Sequence, residues 1–195
     1  MRLFLALDID DAVRSGIAVF IDRIRAFAPD ARWVRPESLH VTLKFIGEQS
    51  AKQAENIKRA LETINASGFK MNIRAHGFFP ETRTPRVFWI GIEAGTQLAS
   101  LVAAIEEKLA ALGIAKEVQG FSPHLTLARS GRGSASPRRQ KSDRTNQTFQ
   151  RLQEKLAAEP APEFRTMTAR EFFLYQSRLS AGGSQYTKLA GFPLR

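Results

Sequence analysis

Two short stretches carry the residue types needed for proton transfer at a phosphate: His40-Val41-Thr42-Leu43 and His124-Leu125-Thr126-Leu127. Side chains alternate along an extended strand, so His40 and Thr42 share one face, roughly 6–7 Å apart at Cα, and His124 and Thr126 do the same. Leu39, Val41, Leu43 and Phe45 are expected on the opposite face of the first strand, and Phe121, Pro123, Leu125 and Leu127 on that of the second. A neutral imidazole can take a proton from an attacking group while a second, protonated one delivers a proton to the leaving oxygen. Threonine hydroxyls can hydrogen-bond the non-bridging oxygens as charge redistributes. Two such pairs meeting across a pseudo-twofold axis put acid and base on opposite sides of phosphorus, as in-line displacement requires. A lone histidine on a strand is usually structural, but core packing has no reason to place one twice at equivalent positions. Neither stretch has a neighbouring carboxylate to complete a metal shell, so no metal or other cofactor is expected.

The elements around these stretches repeat. His40 lies over His124 and Gly47 over Gly131 at a constant offset of 84 residues, which also lays Arg2-Leu3-Phe4-Leu5 over Arg86-Val87-Phe88-Trp89. Ala75-His76-Gly77-Phe78-Phe79 resembles Ala169-Arg170-Glu171-Phe172-Phe173 at an offset of 94. Apolar spacing predicts helices from Asp10 or Asp11 to about residue 27, over 51–64 and over 97–112, with a more polar helix over 146–158. Strands are expected at 3–8, 33–34, 39–46, 69–75, 86–93, 122–129, 164–176 and 185–189. The reading is an α+β fold, one bilobal domain over 1–195. Its two pseudo-symmetric lobes arise by internal duplication (about 1–80 and 85–178), with antiparallel sheets facing a central cleft and helices outside.

The chain of 195 residues, with 43% hydrophobic residues, is long enough for a real core. Zero cysteines exclude disulfides and thiol nucleophiles. No apolar run approaches the ~20 residues of a membrane span, and Met1 leads straight into a strand without signal-peptide architecture, so a cytoplasmic location is expected. A net charge of +10 points to an anionic partner, nucleic acid before membrane. Four units of that charge fall within 131–144, where Arg132, Arg138, Arg139, Lys141 and Arg144 face only Asp143. Its glycines, serines and proline suggest a flexible insertion, either solvated or in contact with a phosphate backbone.

With these residues in view, the chain resembles the two-histidine phosphoesterases, and within them the RNA 2′,3′-cyclic phosphodiesterases, also called 2′-5′ RNA ligase-like proteins. The resemblance rests on Leu39 through Glu48, on Ser122 through Arg129, and on Leu174-Tyr175-Gln176-Ser177-Arg178-Leu179 with Gly183-Ser184-Gln185-Tyr186. The basic 131–144 stretch is longer than is usual for the family. The resemblance implies hydrolysis of RNA 2′,3′-cyclic phosphate ends to 2′-phosphates without metal, with His40 as proton donor and His124 as proton acceptor. It also implies a possible reverse joining to a 2′-5′ linkage. From the repeat alone the two histidines are equivalent. The expected partner is RNA with a cyclic phosphate end, acted on by a monomer with no obligatory protein partner and no membrane. Two alternatives stay open: a non-catalytic RNA-binding module, and a phosphodiesterase acting on another small cyclic phosphate.

Supporting residues follow from type and position. Arg129 could hold phosphate, although simple alternation points it away from Thr126 unless the strand bends. Phe45 and Tyr186 are candidates to bind substrate by stacking on a base, with Phe78 and Phe79 behind them. His76 lies outside the pattern, and Arg2 and Arg86 read as strand-flanking residues.

Overall fold

Alternation in the first residues sets the pattern for the whole molecule. In strand β1 (Arg2–Asp8), Leu3, Leu5 and Leu7 enter the main core, while Phe4 and Ala6 pack on the other face with Tyr175. The computed structural model describes residues 1–81, 83–130, 147–180 and 183–195. The basic 131–144 stretch lies outside them. Within them β1 is followed by α1 (Asp11–Ile24), β2 (Arg32–Trp33), β3 (His40–Glu48), α2 (Ala51–Glu62), β4 (Phe69–Phe79) and β5 (Val87–Ala94). Then come α3 (Thr96–Ala110), β6 (His124–Arg129), α4 (Gln150–Ala157), β7 (Met167–Ala169), β8 (Glu171–Ser180) and β9 (Gly183–Pro193).

The first two helices form where the sequence caps them. Asp10 accepts a hydrogen bond from the Val13 amide at 2.9 Å and starts α1; Ser50 does the same for Gln53 at 3.1 Å and starts α2. Gly113, with φ +78°, takes the left-handed conformation just after α3 that ends a helix. Ile17 and Ile24 of α1, Ile57 and Leu61 of α2, Ile105 and Leu109 of α3 and Leu152 of α4 all bury into one cluster with the core-facing strand residues. Each such side chain contributes about 1.5–3 kcal/mol by leaving water. The helices therefore cover one face of the sheet and leave the other open. No helix of the described residues is long and apolar enough to cross a membrane.

The described strands form one antiparallel sheet in the order β7-β4-β5-β6-β3-β1-β8-β9, with β2 on β6. The two expected antiparallel halves are joined at its centre, where β3 and β6 share the single registered pair Val41 and Leu125. Each half takes strands from both halves of the sequence. β4 pairs with β5, and β8 returns to pair with β1. The expected strand over 164–176 is thus two strands: β7 on the edge of β4, and β8 beside β1. Arg170 sits at the break, its carbonyl taken by the Leu194 amide.

Candidate active site

His40 and His124 begin the two central strands and lie in one cleft of about 390 Å³, together with Thr42, Thr126, Phe45, Arg129 and Tyr186. All seven residues singled out in the sequence come together here. Two of them arrive by a device that simple alternation does not foresee. Ala6 pairs with Thr42 but Leu5 with Lys44, so Leu43 is an extra residue in β3. After that bulge the faces exchange: Lys44 is buried and Phe45, expected beside Leu43 in the core, turns to the cleft at 59% exposure. β6 does the same. Trp89 pairs with Thr126 but Phe88 with Ala128, so Leu127 is the extra residue, Ala128 is buried and Arg129 faces the cleft. Leu43 and Leu127 are themselves 84 residues apart. The bend needed to bring Arg129 beside Thr126 is therefore present in both halves.

Register also corrects the alignment of the repeat. Asp8 stands opposite His40 and Gly91 opposite His124; Leu5 matches Phe88 and Ala6 matches Trp89. The first strands thus superpose at an offset of 83, one residue less than the histidine strands, and the core-facing residues agree only on that register. Likewise Phe79, paired with Val87, matches Tyr175, paired with Phe4, so the outer strands superpose at 96 and not 94.

Each imidazole is held in the same way. His40 Nδ1 lies 2.7 Å from the Ser38 carbonyl and His124 Nδ1 lies 2.7 Å from that of Ser122. A carbonyl only accepts, so Nδ1 carries the hydrogen and Nε2 is the nitrogen left to exchange protons. A recurrent Ser-x-His-x-Thr in the sequence is the signal that these anchors repeat. Burial is the main cause that lowers the pKa of both rings, offset in part by these carbonyl bonds, and the Arg129 charge lowers both further. Among the described residues only His40 has a carboxylate acting on it, Asp8, which raises its pKa; the nearby His124 works in the opposite sense.

Asp8 was not singled out in the sequence, yet alternation along β1 already places Arg2, Phe4, Ala6 and Asp8 on one face. The Asp8 carboxylate accepts a hydrogen bond from the Tyr175 hydroxyl and lies 2.6 Å from Lys188 Nζ. Burial and this acid hold the Tyr175 hydroxyl in its protonated form. Aromatic rings line both sides. Phe4 and Tyr186 lie 5.0 and 5.2 Å from the His40 ring, and Phe79 lies 5.0 Å from His124. Phe78 is buried, and His76 packs against Phe78 and Phe88 and does not line the cleft. Arg86 does not line the cleft; its backbone bonds Phe79 and Ser130. Among the described residues no group of three His, Cys, Asp or Glu side chains could hold a metal ion.

Comparison with known proteins fits this geometry. A family model described as LigT like phosphoesterase matches residues 7–89 and 90–186. A protein of Archaeoglobus fulgidus named RNA 2′,3′-cyclic phosphodiesterase is 31% identical over 192 residues, covering 98% of this chain and 99% of its own. One of the same name from Methanothermobacter thermautotrophicus is 30% identical over 198 residues, covering 100% and 99%. Among solved structures, one from Thermus thermophilus superposes with a TM-score of 0.78 at 26% identity, covering 100% of this chain and 98% of its own. Escherichia coli LigT complexed with 3′-AMP gives 0.77 at 26% identity, covering 99% and 97%. The chain belongs to the LigT-like phosphoesterase family.

Proposed function

We propose that this protein hydrolyses the 2′,3′-cyclic phosphate at the end of an RNA to a 2′-phosphate, by two-histidine acid–base catalysis without metal. The observation that carries the reading is the pair of carbonyl-anchored imidazoles, each with its threonine, in one cleft. Water attacks phosphorus as His124 Nε2 takes its proton. The new P–O bond forms, the bond to the 3′ oxygen breaks, and His40 Nε2 gives that oxygen its proton. Thr42 and Thr126 donate to the non-bridging oxygens, and Arg129 holds their charge. Phe45 and Tyr186 offer the terminal base a surface to stack on.

The choice of His40 as donor rests on Asp8. A carboxylate near an imidazole favours its protonated form, and among the described residues only His40 has one. On this reading the substrate is an RNA end, and the protein acts on it in the cytoplasm as a monomer. The test is incubation of the purified protein with a cyclic-phosphate oligonucleotide, with and without EDTA. Chelator-resistant conversion to a 2′-phosphate is expected. Binding without turnover would leave only an RNA-binding module, and turnover that requires added divalent metal would reject the mechanism.

A further inference from the structure

The reaction just described uses one guanidinium, yet among the described residues the cleft holds two. Arg2 lies on the same face of β1 as Phe4 and lines the cleft with Phe45, Ser177 and Ser184. Among the described residues its side chain has no hydrogen bond or ion pair. Arg14, Arg23, Arg25, Arg35 and Arg74 each have a carboxylate within 4 Å, as surface arginines commonly do. The carboxylate nearest Arg2 in register is that of Glu48, and it is occupied by the Met1 ammonium at 3.1 Å. On its other side Arg2 pairs in register with Ser177, a neutral hydroxyl. A planar cation that no carboxylate of the described residues pairs, lining a cleft, is a site for an anion.

Its position says which anion. Ala6 stands opposite Thr42, one of the two hydroxyls assigned to the reacting phosphate in the proposed reaction. Arg2 is four residues further along β1, roughly 13 Å away at Cα. That is too far to share the phosphate held by the histidines, and the gap is bridged by the aromatic floor of Phe4 and Phe45, whose rings lie 6.2 Å apart. The place corresponding to Arg2 in the other half is taken by Pro85, so among the described residues this cation has no counterpart across the repeat. We propose that Arg2, with Ser177 beside it, binds a second phosphate of the substrate: the 5′-phosphate of the terminal nucleotide. In an RNA this is the phosphodiester that joins the last nucleotide to its neighbour. The inference rests on the cleft being the cyclic-phosphate site, and it gives the enzyme a means to favour RNA ends over free cyclic nucleosides.

The test compares three substrates: adenosine 2′,3′-cyclic phosphate with a free 5′-hydroxyl, the same with a 5′-phosphate, and a dinucleotide ending in it. The wild-type protein is expected to favour the last two by about tenfold in kcat/KM, mostly through KM, the scale of one charge-assisted hydrogen bond. In Arg2→Gln that ratio falls towards one, and Arg2→Lys keeps part of it, since a lysine supplies charge without the fork. An unchanged ratio in Arg2→Gln, or no preference in the wild type, overturns the site. If no cyclic phosphate is turned over, the reading of the cleft fails. Calorimetry then decides on Arg2 alone: adenosine 2′,5′-bisphosphate should bind about tenfold more tightly than adenosine 2′-monophosphate, and equal affinities reject the site.

Discussion

The two sides of the cleft share a backbone and differ in side chains. Around His40 stand Asp8, Tyr175 and Tyr186; around His124 stand Gly91, Phe79 and Trp89. Both histidines begin their strands, both anchor Nδ1 on a carbonyl two residues earlier, and both strands carry a bulge three residues on. What differs is the polarity of the neighbours. Position 8 holds a carboxylate. At position 91 a Cβ would meet the Arg74 carbonyl oxygen at 2.8 Å, so no side chain fits there without displacing backbone. The hydroxyl that Tyr175 gives Asp8 has no counterpart on Phe79. The common bulge likewise sends a stacking ring, Phe45, into the cleft from one half and a cation, Arg129, from the other. A symmetrical scaffold thus yields an asymmetrical site, as a reaction with a distinct donor and acceptor requires.

The largest expected effects fall on what the halves share. His40→Ala and His124→Ala should each lower kcat/KM by about 10² or more, with smaller losses for Thr42→Ala and Thr126→Ala; steady-state kinetics on a cyclic mononucleotide measures all four. Next comes the buried residue that follows each bulge, Lys44 in one half and Ala128 in the other. Lys44 Nζ bonds Glu106 at 2.8 Å and the Ala115 carbonyl at 2.7 Å. Lys44→Ala leaves Glu106 without this partner and should cost about 3 kcal/mol in urea unfolding. The cleft residues beyond the bulges should then separate by role. Arg129→Ala should lower kcat/KM by more than tenfold, the scale of a lost charged hydrogen bond, while Phe45→Ala should mainly raise KM, by about five- to tenfold.

The smallest effect tests the asymmetry through pH. Burial lowers both histidine pKa values, so the bell of kcat/KM should centre below the ordinary histidine range, with limbs that belong to the pair. The alkaline limb marks loss of the proton that the donor must carry. Asp8 raises the pKa of His40, so Asp8→Asn lowers it and should move that limb to lower pH, leaving the acid limb nearly in place. A shift of the acid limb alone would assign the donor to His124.

Much of this was legible in the residues. The doubled His-x-Thr, at one offset, located both central strands and the cleft where they meet, because period-two alternation and a repeated polar residue type are both local signals. The bulges were not legible. Leu43 and Leu127 look like ordinary core residues, and only the pairing of β1 with β3 and of β5 with β6 reveals that each is extra. For the same reason alternation set Phe45 among the core-facing residues, although its type made it a stacking candidate, and Arg129 faced the cleft only if the strand bent. Nor could sequence order show that β4 and β8 cross to the opposite halves, since strand partners are chosen by long-range packing. Asp8 and Arg2 were on the correct face by simple alternation but were read as the ends of a strand. Their meaning came from what stands opposite them, His40 for one and no free acid for the other.

Replacing the 3′ oxygen of the cyclic phosphate by sulfur tests the division of labour between the histidines most directly. A thiol, with a pKa near 8.5, leaves as thiolate without receiving a proton. The sulfur substrate should therefore restore His40→Ala to within about tenfold of the wild-type protein and leave His124→Ala impaired by about 10² or more, since water still needs a base. Rescue of His124→Ala in place of His40→Ala would reverse the assignment, and rescue of neither would contradict proton donation by a histidine altogether.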